Sequence, residues 1–413
     1  MTRIVRVAMI AGVLLAGMAS PILAQGIPQQ PTLPDPEQTG RYRLGFIRFT
    51  PSMNLTNLGV DTNVFNEVED PKEDFTAVFG PKAEFWSRLG PRAHIYGSVG
   101  LDYQYFNEYE SQRSFGTSNV ARLDFDLGRL TPFAEGQYAN TRVRPGFEID
   151  ERARRRSVGG RAGLAARVQS KTRVIGWIAQ EEYRFDDSAA EAGEVNLSYA
   201  LDRDSSSYGA GLEVELTPLT TLLVDVERAE DRFAQSPERD ADSSKVMGGF
   251  KFKPFALIDG RVAVGYRQFE TLEPIVPDFD GFIATVDLGY TLRATRVNAQ
   301  YNRDVTYSFE TFEPYYLQTD WQVSVTQKIT STWDVVGRAG RYTLDYERVG
   351  VVDAFRRTDT GSRYGGGIGY TVGQYLRLGF DVNYIDRRSE ADVTRNYEGI
   401  RAGFTITYGL RQR

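Results

Sequence analysis

Few residues of this 413-residue chain are equipped for covalent chemistry. It has one histidine, His94, and no cysteine. Thiolate nucleophiles, cysteine metal sites and a disulfide framework are therefore excluded. His94 lies beside a short turn, at the wrong end for an outward-facing catalytic site, and reads as a polar wall residue. No enzyme is expected, and no cofactor motif is present. Glu238, Asp240 and Asp242 offer the oxygen ligands calcium prefers, yet no spacing matches a defined calcium loop.

What remains is charge. Acidic Asp124, Asp126, Glu213, Glu215, Asp225, Asp287 and Asp381 sit at polar positions of alternating segments, as do basic Arg122, Arg161, Arg377 and Arg401. On one inward face they would line a pore, where rings of fixed charge bias ion passage. Alternatively they pair with one another and hydrate that face. A separate basic cluster, Arg152, Arg154, Arg155 and Arg156 with Arg142 and Arg144, is expected in one long loop, 144–157. Guanidinium groups suit phosphate through bidentate bonds. The cluster could contact lipopolysaccharide phosphates, fold inward as an anion filter, or remain a solvated face. Glu148, Asp150 and Glu151 alongside partly neutralise it.

The elements that must position these charges are strands. Leu376, Leu378, Phe380, Val382 and Tyr384 alternate with Arg377, Gly379, Asp381 and Asn383. Tyr208, Ala210, Leu212, Val214 and Leu216 alternate with Gly209, Gly211, Glu213 and Glu215, and Ala121, Leu123 and Phe125 with Arg122 and Asp124. Period two sends successive side chains to opposite faces. Pro51 and Pro81 lack an N–H and predict bulges in the first two strands. The apolar face switches between Trp333-Val335 and Tyr342-Leu344-Tyr346, predicting another. Residues 195–201 look strand-like inside the longest loop.

The connections choose between a soluble sandwich and a membrane barrel. Short ones, as at Gly128-Arg129, Ser170-Lys171 and Gly373-Gln374, alternate with long charged ones such as 66–74, 108–117, 186–204, 350–361 and 387–395. Strict short and long alternation is what periplasmic turns and extracellular loops produce. The fold expected is all-β, a transmembrane antiparallel up-and-down β-barrel of about 18 strands, with 16 the alternative. Phe85, Trp86, Trp333, Tyr375 and Tyr408 near the turns, and Tyr103, Tyr105, Tyr183, Phe233, Tyr307, Tyr315 and Tyr346 near the loops, read as two interfacial girdles.

Residues 1–24 carry Arg3 and Arg6, an apolar stretch and Ser20-Pro21-Ile22-Leu23-Ala24, the layout of a signal peptide cleaved near Ala24. Its apolar run is short for a spanning helix. Export through the Sec pathway to a bacterial outer membrane is expected. Residues 25–42, rich in Pro and Gln, read as a flexible periplasmic segment, and 43–413 as the barrel. Removing Arg3 and Arg6 with the leader takes the formal charge from −6 to −8, which disfavours nucleic acid as a partner.

The stretch Gly59-Val60-Asp61-Thr62-Asn63-Val64-Phe65, with Pro71 and Asp74-Phe75, resembles the opening of outer-membrane proteins of the beta-barrel porin 2 type. Tyr364-Gly365-Gly366-Gly367-Ile368-Gly369-Tyr370 and Thr407-Tyr408-Gly409-Leu410 are similar to that family's closing strands. The resemblance implies an outer-membrane barrel and supplies no catalytic residues. A porin-like passive channel for small hydrophilic solutes is the function expected; the alternative the resemblance implies is an accessory barrel of exopolysaccharide export. Expected partners are membrane lipid, lipopolysaccharide and, through the C-terminal strand, the outer-membrane insertion machinery. That strand departs from a common pattern: Arg411-Gln412-Arg413 follow its last aromatic residue, Tyr408.

Overall fold

The computed structural model describes residue 33 and residues 40–150, 152–186, 196–253, 257–350 and 357–409. The leader, most of the 25–42 segment, Glu151, parts of the connections near 190 and 353, and residues 410–413 lie outside the described residues.

The chain forms β1 (Tyr42–Leu44), β2 (Ile47–Asp61), β3 (Asp74–Arg88), β4 (Ala93–Phe106), β5 (Ser114–Phe125) and β6 (Leu130–Val143). It continues with β7 (Ala153–Gln169), β8 (Thr172–Asp186), a short helix α1 (Leu197–Leu201), β9 (Arg203–Thr217), β10 (Thr220–Phe233), β11 (Ala241–Phe252) and β12 (Ile258–Thr271). The rest are β13 (Phe279–Leu292), β14 (Thr295–Tyr307), β15 (Tyr315–Lys328), β16 (Trp333–Glu347), β17 (Thr358–Val372), β18 (Leu376–Ser389) and β19 (Tyr397–Tyr408). Each strand from β2 onward pairs antiparallel with the next, and β19 pairs back onto β2 with Ala402 opposite Val60. The result is a closed barrel of 18 strands; β1 is only a small hairpin partner of β2. Closure removes every edge, which a sheet surrounded by lipid requires.

The outward face is apolar. Val224, Val246, Val264, Phe282, Leu378, Phe380 and Phe404 are exposed on it, while their sequence neighbours turn inward. A contiguous exposed apolar surface of this kind is stable only against lipid. Among the described residues no helix is long and apolar enough to span a membrane; the strands do so.

Three local expectations are corrected. The bulge in β2 falls at Asn57 and Leu58, where the register shifts against both neighbours and Asn57 takes φ 53°, not at Pro51, which pairs in register with Ala83. Pro81 only interrupts the ladder towards β4, between Phe79↔Tyr103 and Lys82↔Gly100, without shifting it. β16 has no bulge: it pairs regularly with β15 from Glu347 to Asp334. The 197–201 stretch is helical, capped by the Asn196 side chain accepting from the Tyr199 N–H, with Leu197, Ala200 and Leu201 buried at helical spacing.

Candidate functional site

At the long-loop end the connection from β6 to β7, residues 144–150 and 152 among those described, crosses the lumen. Half-way round a ring of eighteen from those strands stand β15 and β16. Phe147 stacks on Tyr342 of β16, ring centroids 4.2 Å apart and planes within 14°, so the loop spans the bore. Phe147, Tyr316, Tyr342, Leu344 and Tyr346 form one buried cluster. The Arg363 guanidinium lies 5.0 Å over the Phe147 ring, a cation–π contact in a dry setting.

Ions then lock the loop in place. Arg387, on the inner face of β18, is fully buried. It donates to the Glu148 carbonyl at 2.9 Å and to Asp150 at 2.9 Å, and its other amino group meets Asp359 of β17 at 2.6 Å. Arg357 grips the same Asp359 through two bonds, at 2.7 and 3.1 Å. The Glu148 carboxylate accepts from the Ser308 hydroxyl at 2.6 Å and the Phe309 N–H at 3.3 Å. Burial pushes Glu148 up to about 7, against the pull of Ser308 and the Arg395 guanidinium. Burial likewise raises Asp150, with Arg387 and Arg144 opposing. Nearer the loop's own side, Arg144 donates to the Val64 carbonyl at 2.7 Å. Ile149 joins Ala153, Phe185 and α1 in a second apolar cluster.

This packing explains the face switch in β16. Trp333 and Val335 face outward, whereas Tyr342, Leu344 and Tyr346 face inward and are buried under the loop. Several aromatics expected in an outer girdle also belong here. Tyr183, Phe233, Tyr315 and Tyr346 are buried, and the Tyr307 hydroxyl donates to Asp231 at 2.8 Å beside the Phe233 ring. The signal that could have found them is the run of aromatics on the polar face at the loop end of strands such as β16.

Towards the short turns the inner face is charged instead. Arg122 meets Asp124 at 2.8 Å and Glu135 at 3.6 Å; Tyr96 donates to Asp124 at 3.1 Å, with His94 3.8 Å away. Asp225 pairs with Arg261 at 2.8 Å and Glu213 with Arg173 at 3.6 Å; Arg401 meets Asp61 at 2.6 Å nearer the long loops, Asp61 being the last residue of β2 before one of them. Arg338 meets Asp381 at 2.8 Å, and Arg377 meets Asp334 through bonds of 2.5 and 3.0 Å. Both these pairs join β16 to β18 over β17. They can do so because Gly367 and Gly369 lie beneath; a Cβ there would collide with Asp381 and Arg377. Arg296 and Asp259, 3.1 Å apart, bridge β14 and β12 over Gly289 in the same way. Charges thus pair along the wall, not across the lumen. Arg161 lies 4.0 Å over the Trp177 ring. Glu215 and Asp287 are on the inner face, and no ion pair involving either occurs among the described residues.

Two groups of candidates are moved. Asp126 is not in the wall: β5 ends at Phe125, and its carboxylate caps the turn by accepting from the Gly128 N–H at 2.8 Å. The arginine cluster is not one loop, because β7 begins at Ala153 and its period-two geometry divides the run. Arg152 and Arg155 turn inward, over Phe106 at 4.7 Å and Tyr183 at 5.7 Å. Arg154 and Arg156 turn outward. Of the acidic trio, Asp240 accepts from the Phe233 N–H and Asp242 holds Arg232 at 2.7 Å.

The family model described as "Putative beta-barrel porin 2" matches residues 35–408, and the chain belongs to that family. It is therefore an outer-membrane β-barrel of porin type. No curated protein matches the chain. Among solved structures it is similar to Pseudomonas aeruginosa OpdO (12% identity, 88% of this chain and 98% of that one, TM-score 0.47) and to the outer membrane protein opdK of the same organism (10%, 88% and 98%, TM-score 0.46). It is also similar to the siderophore receptor PirA from Pseudomonas aeruginosa (8%, 87% and 80%, TM-score 0.41).

Proposed function

We propose that the protein is a passive channel for small hydrophilic solutes, its bore set by the loop 144–152. A barrel of this strand number encloses a water-filled channel unless something fills it. The observation that carries the reading is the loop's reach to Tyr342 and Arg387: it narrows the long-loop half, below which charged pairs such as Asp225 and Arg261 remain exposed. Asp124, Glu213, Glu215, Asp225, Asp287, Asp381, Arg122, Arg161, Arg377 and Arg401 are then the pore-lining groups. Among them, Glu215 and Asp287, without ion-pair partners among the described residues, bias the lumen towards cations. An accessory role in polysaccharide export fits less well, since the docked loop occupies the path a glycan chain would take. Incorporation of the purified barrel into planar bilayers tests the channel: discrete conductance steps are expected, and a folded, inserted protein that never conducts would defeat it.

A further inference from the structure

On the outward face, just beyond the apolar band, β6, β7 and β8 carry an arrangement that the described residues leave electrically incomplete. Arg142 stands directly opposite Arg154, and Arg156 directly opposite Arg184. Like charges placed directly across a strand pair are destabilising, and here two such pairs adjoin. Alternation puts all four on the face that presents exposed Tyr138, Val158 and Ile178 one to four same-face positions closer to the short-turn end. At about 3.3 Å per residue, tilted strands lift these guanidiniums about one headgroup layer above the tyrosine.

The second pair is largely compensated. Glu182 meets Arg156 at 3.1 Å and Arg184 at 3.4 Å, and Asp204 meets Arg184 at 2.7 Å. The first pair has only the charge of Asp186, which acts on Arg142 without an ion-pair contact. Arg142 donates to the carbonyls of Ser111 at 2.6 Å and Arg152 at 3.3 Å. Arg154 donates to the Asn140 side chain at 3.0 Å and the Phe115 carbonyl at 3.5 Å. Among the described residues neither forms an ion pair, although Asp186 lies across from Arg154 on β8. Elsewhere on the rim the outward arginines Arg228 and Arg232 both have Asp242, at 3.3 and 2.7 Å.

We propose that Arg142 and Arg154, flanked by Arg156, bind the phosphate of a phosphorylated glycolipid in the outer leaflet. A phosphate monoester carries nearly two negative charges and three acceptor oxygens, which matches two facing guanidiniums with free donors. The acyl chains would lie on the apolar band below, beside Tyr138, Val158 and Ile178. The site is on the wall, so Arg152 and Arg155, which turn inward, take no part.

The test is native mass spectrometry of the purified full-length barrel in detergent, titrated with bisphosphorylated lipid A, with the same lipid dephosphorylated, and with inorganic phosphate. Wild type is expected to bind the phosphorylated lipid at least about tenfold more tightly than the dephosphorylated one. The R142Q/R154Q double variant should lose that preference, whereas R228Q/R232Q should keep it. R142K/R154K, which retains charge without the fork, should fall between, and carries the test if the glutamine variant fails to fold. Equal binding of both lipids by wild type, or an unchanged preference in the Arg142/Arg154 variants, would overturn the proposal. Inorganic phosphate bound as tightly as the lipid would also overturn it, by making this a free-anion site.

Discussion

The two halves of the lumen are lined by the same strands with the same period, yet they are held together on different terms. The long-loop half is dry. Arg387, Asp359, Tyr342 and Leu344 are buried, and the loop 144–152 supplies the missing second layer of a core. The short-turn half is wetter: Arg338, Asp381 and Asp334 are buried in their pairs, but other pairs stand in water. Asp225 and Arg261 keep 46% of their side-chain surfaces exposed while paired. The difference teaches where energy and where selectivity reside. A buried pair that loses a partner leaves an uncompensated charge, costing about 3–5 kcal/mol. An exposed pair is worth about 0.2–1 kcal/mol, so in the proposed channel its charges are free to act on passing ions.

The largest expected effect follows from that contrast. Arg387→Ala should leave Asp359 with Arg357 alone, take the ion-pair partner from Asp150, and weaken loop docking by about 3 kcal/mol, the low end for a broken buried pair. Hydrogen exchange at 144–152 should rise steeply while the strand amides remain protected. Matched protection of loop and strands in the variant would erase the distinction between the halves.

Protonation gives the next largest effect. Glu148 titrates near 7 in the docked loop against an ordinary 4.5. Its raised value means that docking is fully favoured below pH 4.5 and weakens as pH rises to about 7, by about 3 kcal/mol in all. Exchange in the loop should therefore be faster at pH 8 than at pH 5 after correction for intrinsic rates. Glu148→Gln should flatten that dependence, whereas a matching change in the wet half, at Asp225, should leave it intact.

Smaller effects belong to the wet half. Gly369→Ala should cost about 1–3 kcal/mol of thermal stability by forcing Arg377 off Asp334. Gly366→Ala, whose Cβ meets only the Val336 carbonyl at 3.5 Å, should cost little. Asp225→Asn should change stability by less than about 1 kcal/mol yet shift the reversal potential in a salt gradient towards anions, the shift shrinking at molar salt as the screening length falls to ~3 Å. A large stability loss with an unmoved potential would reverse the assignment of roles.

How much of this was legible depended on what each face touches. In β18, Leu378, Phe380 and Val382 meet lipid while Arg377 and Asp381 meet charged partners on the inner wall, so the alternation is plain. In β16 the inner face passes from water to a packed loop within one strand. A period-two reading that assigns one solvent per face then invents a bulge between Val335 and Tyr342. The arginine run was misplaced for a related reason. Ala153 opens β7 while the composition still looks like loop, and alternation then divides Arg154 and Arg156 from Arg155. Asp126 continued the polar phase of β5 by one residue, past the point where the turn begins. The inward course of 144–152 had no local signal, because Phe147 and Ile149 in a charged loop acquire partners only from strands far along the chain.

If this loop, latched by Arg387, sets the bore, removing the latch must widen it. Single-channel conductance of wild type, Arg387→Ala and Arg261→Ala in the same planar bilayers and salt tests it most directly. The latch variant should conduct several-fold more than wild type with noisier open levels, and Arg261→Ala should keep the wild-type bore with only its ion preference altered. Equal conductance in all three would mean that the loop does not limit the passage, and the narrowing would have to lie elsewhere in the barrel.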